Sequence, residues 1–139
     1  MVRDIITDEA ELTQPSEPAT IDDAPIVDDI IDSLRANEEA ACLAANQIGE
    51  KKAIIVYLND ADKPVVMFNP KITAKLKPFE SVESCLSKEN PTAVVRYDYI
   101  RVNYEVPVDG KLEPRKKKLE GWSAQLVQHM IDHINGVWV

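Results

Sequence analysis

No stretch of this chain is apolar over anything near the ~20 residues that a bilayer-spanning helix needs. The start, Met1-Val2-Arg3-Asp4-Ile5-Ile6-Thr7-Asp8, lacks the apolar core of a secretion signal. Neither a membrane nor an export role is therefore expected, and the cytoplasm is the expected compartment. Cysteine is scarce: two residues, Cys42 and Cys85. Without an export signal they read as thiols and not as a disulfide framework. Positive charge is outnumbered, with 16 Lys+Arg against 24 Asp+Glu and a formal net charge of −8. That balance opposes the phosphate contacts on which nonspecific nucleic-acid binding rests. The basic run Arg115-Lys116-Lys117-Lys118 is short and lies beside a turn signal, so it reads as a solvated strand end. Repeats and low-complexity tracts are missing as well. What remains is one expected domain over residues 1–139, long enough to bury a core without disulfide staples.

The first twenty residues are polar, carry Pro15 and Pro18, and read as an extended lead-in. A helix is expected from an N-cap at Asp22 or Asp23, with Pro25 in its first turn. Ile26, Val27, Ile30, Ile31 and Leu34 would form its apolar face, and Asp28, Asp29, Asp32 and Arg35 the opposite one. Short strands follow. Ala53–Tyr57 is β-branched, Val65–Phe68 stops at Asn69-Pro70, and Ala93–Arg96 and Tyr99–Val106 read as two more. Asp109-Gly110 is a hairpin signal because both residues tolerate positive φ, and Lys116–Leu119 would return from it. A C-terminal helix is expected from Gly121 to Asn135, with Gly136 just past its end. Trp122, Leu126, Val127, Met130, Ile131 and Ile134 make it apolar enough to lie at the centre of the domain. Val137-Trp138-Val139 is assigned a short strand. Helix, antiparallel strands, helix, with no βαβ alternation, defines an α+β fold.

The chemistry concentrates in Gln128-His129-Met130-Ile131-Asp132-His133. On a helix, His129 and His133 differ by roughly 40° in azimuth and one turn in height, so both imidazoles address one point. Two imidazoles leave a transition metal under-ligated. Cys85, in Glu83-Ser84-Cys85-Leu86-Ser87, is the candidate for a third, soft donor. A thiolate with two imidazoles suits zinc or ferrous iron and leaves a fourth position open. In the hydrolase motif HExxH the residue after the first histidine is a glutamate general base. Here it is Met130, which takes no proton.

Three blocks, in order, resemble motifs of the bacterial peptide deformylase family. Cys42-Leu43-Ala44-Ala45-Asn46-Gln47-Ile48-Gly49 resembles GxGLAAxQxG, Glu83-Ser84-Cys85-Leu86-Ser87 resembles EGCLS, and Gln128 to His133 resembles QHExDH. The resemblance spans essentially the whole chain, in a compact form without the C-terminal extension of some members. It implies that Cys85, His129 and His133 hold one divalent metal, usually iron and replaceable by nickel, cobalt or zinc. It implies that Gln47 and the backbone N–H of Leu86 hydrogen-bond the oxyanion formed at a formyl carbon. The implied substrates are nascent polypeptides beginning with N-formyl-methionine, met at the ribosome, although no segment recognisably encodes a ribosome contact. Formate is the implied product.

Three positions depart from the family pattern. Met130 replaces a glutamate that takes a proton from the attacking water and passes it to the leaving amine, a loss worth roughly 10²–10⁴ in rate. On packing grounds Met130 reads as core filling. Asp132 lies on the other side of the ligand pair and is expected to pair with Arg96 instead of replacing the base. Cys42 stands where the family has glycine. It reads as a small buried hydrophobe, with a disulfide to Cys85 as the sharper alternative. Ser84 also replaces glycine. Trp122 and Trp138 read as core and edge packing. Three functions follow: a weakened deformylase, a metal- and formyl-peptide-binding homologue without turnover, or a structural or redox relative in which the metal is dispensable.

Overall fold

The computed structural model describes residues 1–139. The architecture is the α+β one. Its sheet has five strands in the order β1-β2-β3-β4-β5, every neighbouring pair antiparallel. The strands are β1 (Cys42–Ala44), β2 (Ile54–Leu58), β3 (Pro64–Cys85), β4 (Lys88–Val108) and β5 (Lys111–Glu120). Helices α1 (Glu9–Leu12), α2 (Ile26–Ala36) and α3 (Gly121–Ile134) complete it. No helix is long and apolar enough to cross a membrane.

Alternation along β2 explains the layering. Ile55 and Tyr57 join Ala44, Met67, Ile100, Val102 and Leu119 beneath α3, while Ile54 and Val56 join Leu43 and Phe68 beneath Ile30 and Leu34 of α2. The strand is buried on both faces, so it reads as a continuous apolar run. Helix α3 buries nine of its 14 residues, which places it at the centre as its composition implied. Gly136 follows it with φ of +79°, the left-handed geometry of a helix-terminating glycine. A Cβ there would come within 2.7 Å of the Thr13 carbonyl oxygen, so the position demands glycine for space as well.

Several boundaries differ from the sequence reading. Asp22 and Asp23 do not cap α2; they form a 3₁₀ turn closed by the Thr20 N–H donating to Asp23 Oδ2 at 2.8 Å. Pro25, expected inside the first turn, is the N-cap itself. The extended lead-in contains the single turn α1, capped by Asp8, whose side chain accepts from the Ala10 N–H at 3.0 Å; α1 seats the fully buried Leu12. The strand expected to stop at Asn69-Pro70 runs on to Cys85. Register shifts between Phe68 and Lys71 and between Ile72 and Ala74 carry it past the proline. The two strands expected over 93–106 are one, β4. The hairpin at Asp109-Gly110 is present, with φ of 49° and 77° and Val108 facing Lys111, as a two-residue turn of this hand requires. Val137–Val139 forms no strand. Trp122, assigned to the core, is 59% exposed.

Candidate metal centre

Helix α3 and the end of β3 bring three donors together. His129 and His133 face inward from α3, and Cys85 closes β3 immediately before the Leu86–Ser87 turn into β4. The three ligand atoms lie within 4.8 Å of one another. His133 Nε2 is 3.1 Å from His129 Nε2 and 3.2 Å from Cys85 Sγ. Given Zn–N and Zn–S bonds of about 2.0 and 2.3 Å, ligand atoms around a tetrahedral zinc ion are roughly 3.3–3.6 Å apart. The two spacings to His133 match that to within about half an ångström, and with all three donors within 4.8 Å of one another the set is one that could hold a single cation.

The tautomer of His129 supports the same fit. Its Nδ1 lies 2.7 Å from Glu83 Oε1, and a carboxylate accepts, so Nδ1 carries a proton and Nε2 is the nitrogen left facing the cluster, open to a cation or, without one, to a second proton. Glu83 is the functional residue that sequence reading missed. It is 8% exposed, and it also accepts from Arg96 Nε at 3.0 Å, Arg96 Nη2 at 2.8 Å and Gln125 Nε2 at 2.8 Å. Burial alone would raise its carboxyl, but the bonds from His129, Arg96 and Gln125 outweigh that and hold it at about 2. A usable signal existed: Glu83 stands two residues before Cys85 on one strand, and a ligating imidazole needs an acceptor for its other nitrogen.

Charge at the cluster is arranged for a cation. Burial opposes ionisation of Cys85, yet its interactions with His129, His133 and the Ser87 amide bring the thiol down to about 5. Burial likewise opposes charge on His129, which Cys85 and Glu83 nonetheless raise to about 9. In a metal-free cluster, then, a proton supplies the positive charge that the thiolate and carboxylate demand.

The other residues singled out from sequence gather here. Gln47, in the 3₁₀ turn Ala45–Ile48, accepts from the Ala44 N–H at 2.9 Å through Oε1. Its Nε2 donates to Ser87 Oγ at 3.0 Å and Cys85 Sγ at 3.3 Å. Arg96 and Asp132 meet at 2.5 Å (Nη1 to Oδ2). Met130 is 1% exposed, packs into the core beneath α3 and also lines the cleft beside His129. Asp132 and Glu83 do not substitute for it, the first bound to Arg96 and the second to Arg96, Gln125 and His129; the remaining carboxylate lining the cleft, Glu39, is exposed to solvent. Cys42 packs against the α3 core; burial pushes its thiol up, and neither cysteine is in a disulfide. The cleft itself encloses about 440 Å³, with Cys42, Val82, Leu86, Trp122 and Leu126 along its apolar walls and Gln47, Cys85 and His129 among its polar residues. Trp138 is not at this site; Lys88 Nζ sits 5.4 Å from its ring.

A mostly antiparallel α+β domain with a Cys/His/His group at the base of an apolar cleft defines the class: proteins equipped to hold one metal ion beside a bound ligand. The comparisons with known proteins are more specific. The sequence model of polypeptide deformylase matches residues 2–139. The peptide deformylase of Clostridium beijerinckii is 42% identical over 138 residues, covering 99% of this chain and 98% of that one. Peptide deformylase 1 of Bacillus subtilis is 32% identical, covering 98% and 86%. Among solved structures, the peptide deformylase from Thermus thermophilus superposes with a TM-score of 0.85 at 27% identity, covering 99% of this chain and 82% of that one. The enzyme from Legionella pneumophila gives 0.84 at 28% identity, covering 99% and 83%. The chain belongs to the polypeptide deformylase family.

Proposed function

We propose that this single domain, residues 1–139, holds one divalent metal on Cys85, His129 and His133. We propose further that it binds the N-formyl-methionyl ends of nascent polypeptides in the adjoining cleft, with hydrolysis of the formyl amide weak or lost. The donor set suits iron, and equally nickel, zinc or cobalt. When bound, such an ion polarises a carbonyl oxygen and acidifies water. The chain's own residues do the rest. Gln47 Nε2 and the Leu86 N–H serve as donors to the oxygen that gains charge at the formyl carbon. The walls around Leu126 and Trp122 take the apolar methionine side chain. Glu83 keeps His129 oriented, and Arg96, tied to Asp132, keeps Glu83 charged.

The observation that carries the weak-catalysis reading is Met130, buried beside His129 where a proton carrier is needed, with the buried Glu83 and its neighbour Asp132 both committed to other partners. The same observation favours the second reading, a metal- and formyl-peptide-binding homologue without turnover. Action in the cytoplasm, on chains emerging from the ribosome, belongs to the same proposal. The test is formate release from an N-formyl-methionyl tripeptide by nickel- or iron-loaded protein, native against Met130→Glu. A silent or slow native chain beside a variant faster by roughly 10²–10⁴ is the expected result. Equal rates would show that another group moves the proton, and the reading of Met130 would fall.

A further inference from the structure

Each donor of the cluster has a neighbour that orients it, with one exception. Cys85 Sγ accepts from Gln47 Nε2 at 3.3 Å and from the Ser87 N–H at 3.5 Å. His129 Nδ1 has Glu83. His133, fully buried, has its Nε2 in the cluster and its Nδ1 without any partner. Three buried side-chain polar atoms in the whole protein lack a partner: His133 Nδ1, Asn46 Oδ1 and Ser16 Oγ. Two of these three belong to one bonded pair, because Asn46 Nδ2 donates to the His133 backbone oxygen at 2.7 Å. That bond fixes which end of the Asn46 amide is which, so the orphaned atom is an acceptor. The other orphan becomes a donor whenever His133 Nε2 offers its lone pair to a metal, since the remaining proton must then sit on Nδ1. A buried donor and a buried acceptor left unpaired would each cost stability.

We propose that Asn46 is the positioning residue of His133: its Oδ1 accepts, through one shared internal water, the hydrogen bond that Nδ1–H donates, and so holds the imidazole in the metal-ligating tautomer. The inference rests on the metal-holding role proposed above for Cys85, His129 and His133. Polar buried sites with two or more partners are where internal waters reside. The turn Ala45–Ile48 thereby serves two ligands at once, Asn46 reaching His133 and Gln47 reaching Cys85. The two histidines also become unequal donors. His129 leans on an anionic acceptor and is the more basic ligand, whereas His133 leans on a neutral amide.

The experiment compares zinc affinity, by chelator competition, in native protein, Asn46→Ala and Asn46→Asp. It adds long-range ¹H–¹⁵N spectra of the histidine rings with and without zinc. Loss of an orienting partner costs 10–100-fold in metal affinity, so Asn46→Ala should bind zinc that much more weakly. Asn46→Asp keeps the acceptor but loses the donor to the His133 carbonyl, and it should restore native affinity or exceed it. If Asn46→Asp is as weak as Asn46→Ala, the residue acts only through its tie to the backbone and the proposal fails. In native zinc-loaded protein, His133 should carry its proton on Nδ1, in slow exchange with solvent. A proton on Nε2 overturns the proposal even if neither variant folds. Should the native chain take up no zinc, the metal-holding reading falls separately, and the metal-free spectra decide for Asn46 by the same criterion, a Nδ1 proton that exchanges faster in Asn46→Ala.

Discussion

Replacing Glu83 by leucine should destabilise this protein more than most single substitutions do, and a second substitution should undo much of the damage. Glu83 and Arg96 are 8% and 4% exposed and joined by bonds of 2.8 and 3.0 Å. Removing one member of a buried pair costs about 3–5 kcal/mol because the other charge stays behind. Arg96 would retain Asp132, whose side chain is 28% exposed, so the lower end, about 3 kcal/mol, is expected for Glu83→Leu. At this chain length that corresponds to roughly 10 °C in melting temperature. The double variant Glu83→Leu/Arg96→Met removes both charges and leaves no stranded guanidinium. Its cost should fall short of the summed single costs by about 2 kcal/mol. Urea unfolding of metal-free protein, run as a four-member cycle, measures this. Single effects that add to within about 0.5 kcal/mol would refute the argument. Zinc affinity, measured in parallel, should drop 10–100-fold in Glu83→Gln, which keeps the shape but weakens the acceptor for His129.

Three further outcomes follow from the geometry. Because Glu83 is held at about 2 against an unfolded value near 4.5, its stabilising contribution is complete above pH 4.5 and fades as pH falls toward 2. The stability gap between native protein and Glu83→Gln, by chemical unfolding, should close over that window, and a gap constant with pH would contradict the assignment. Met130→Glu should lower metal-free stability by about 2 kcal/mol or more, since it replaces a 1% exposed thioether by an ionisable group. Added zinc should narrow that loss, and a variant as stable as the native chain without metal would show that the site already admits water to Met130. Gly136→Ala should destabilise by about 2 kcal/mol or more, from positive φ together with the 2.7 Å approach to Thr13. A thermal melt within about 1 °C of native would show that the tail can move aside.

How far the sequence could be read depended on what each segment packs against. Strand β2, the Asp109-Gly110 hairpin and α3 are legible because burial on known faces dictates their residues. The extension of β3 to Cys85 and its pairing with β4 are not. Leu76, Val82 and Val95 there are 57%, 73% and 58% exposed, so their apolar side chains mark no buried face, and Pro70 signals a stop that the register shifts override. The same limit hid part of the site. His129, His133 and Cys85 announce themselves by residue type, and Arg96 with Asp132 by charge. Glu83 and Asn46 work through contacts made across 46 and 87 residues of chain; the place of Glu83 two residues before Cys85 on one strand is the single local hint, and Asn46 has none. Trp122 was misplaced because an aromatic on an apolar helix suits a cleft wall as well as a core.

The three donors do not ride on equally firm ground. His129 and His133 sit on a helix that cannot shift without dismantling the core, whereas Cys85 sits at the end of a hairpin whose strands expose much of their surface. Regions of that kind open at lower free energy than the molecule as a whole. If these three donors hold an ion as proposed, opening of the β3–β4 end would free the thiolate first while both imidazoles keep hold. Exchange of such an ion would then be timed by the hairpin and not by global unfolding.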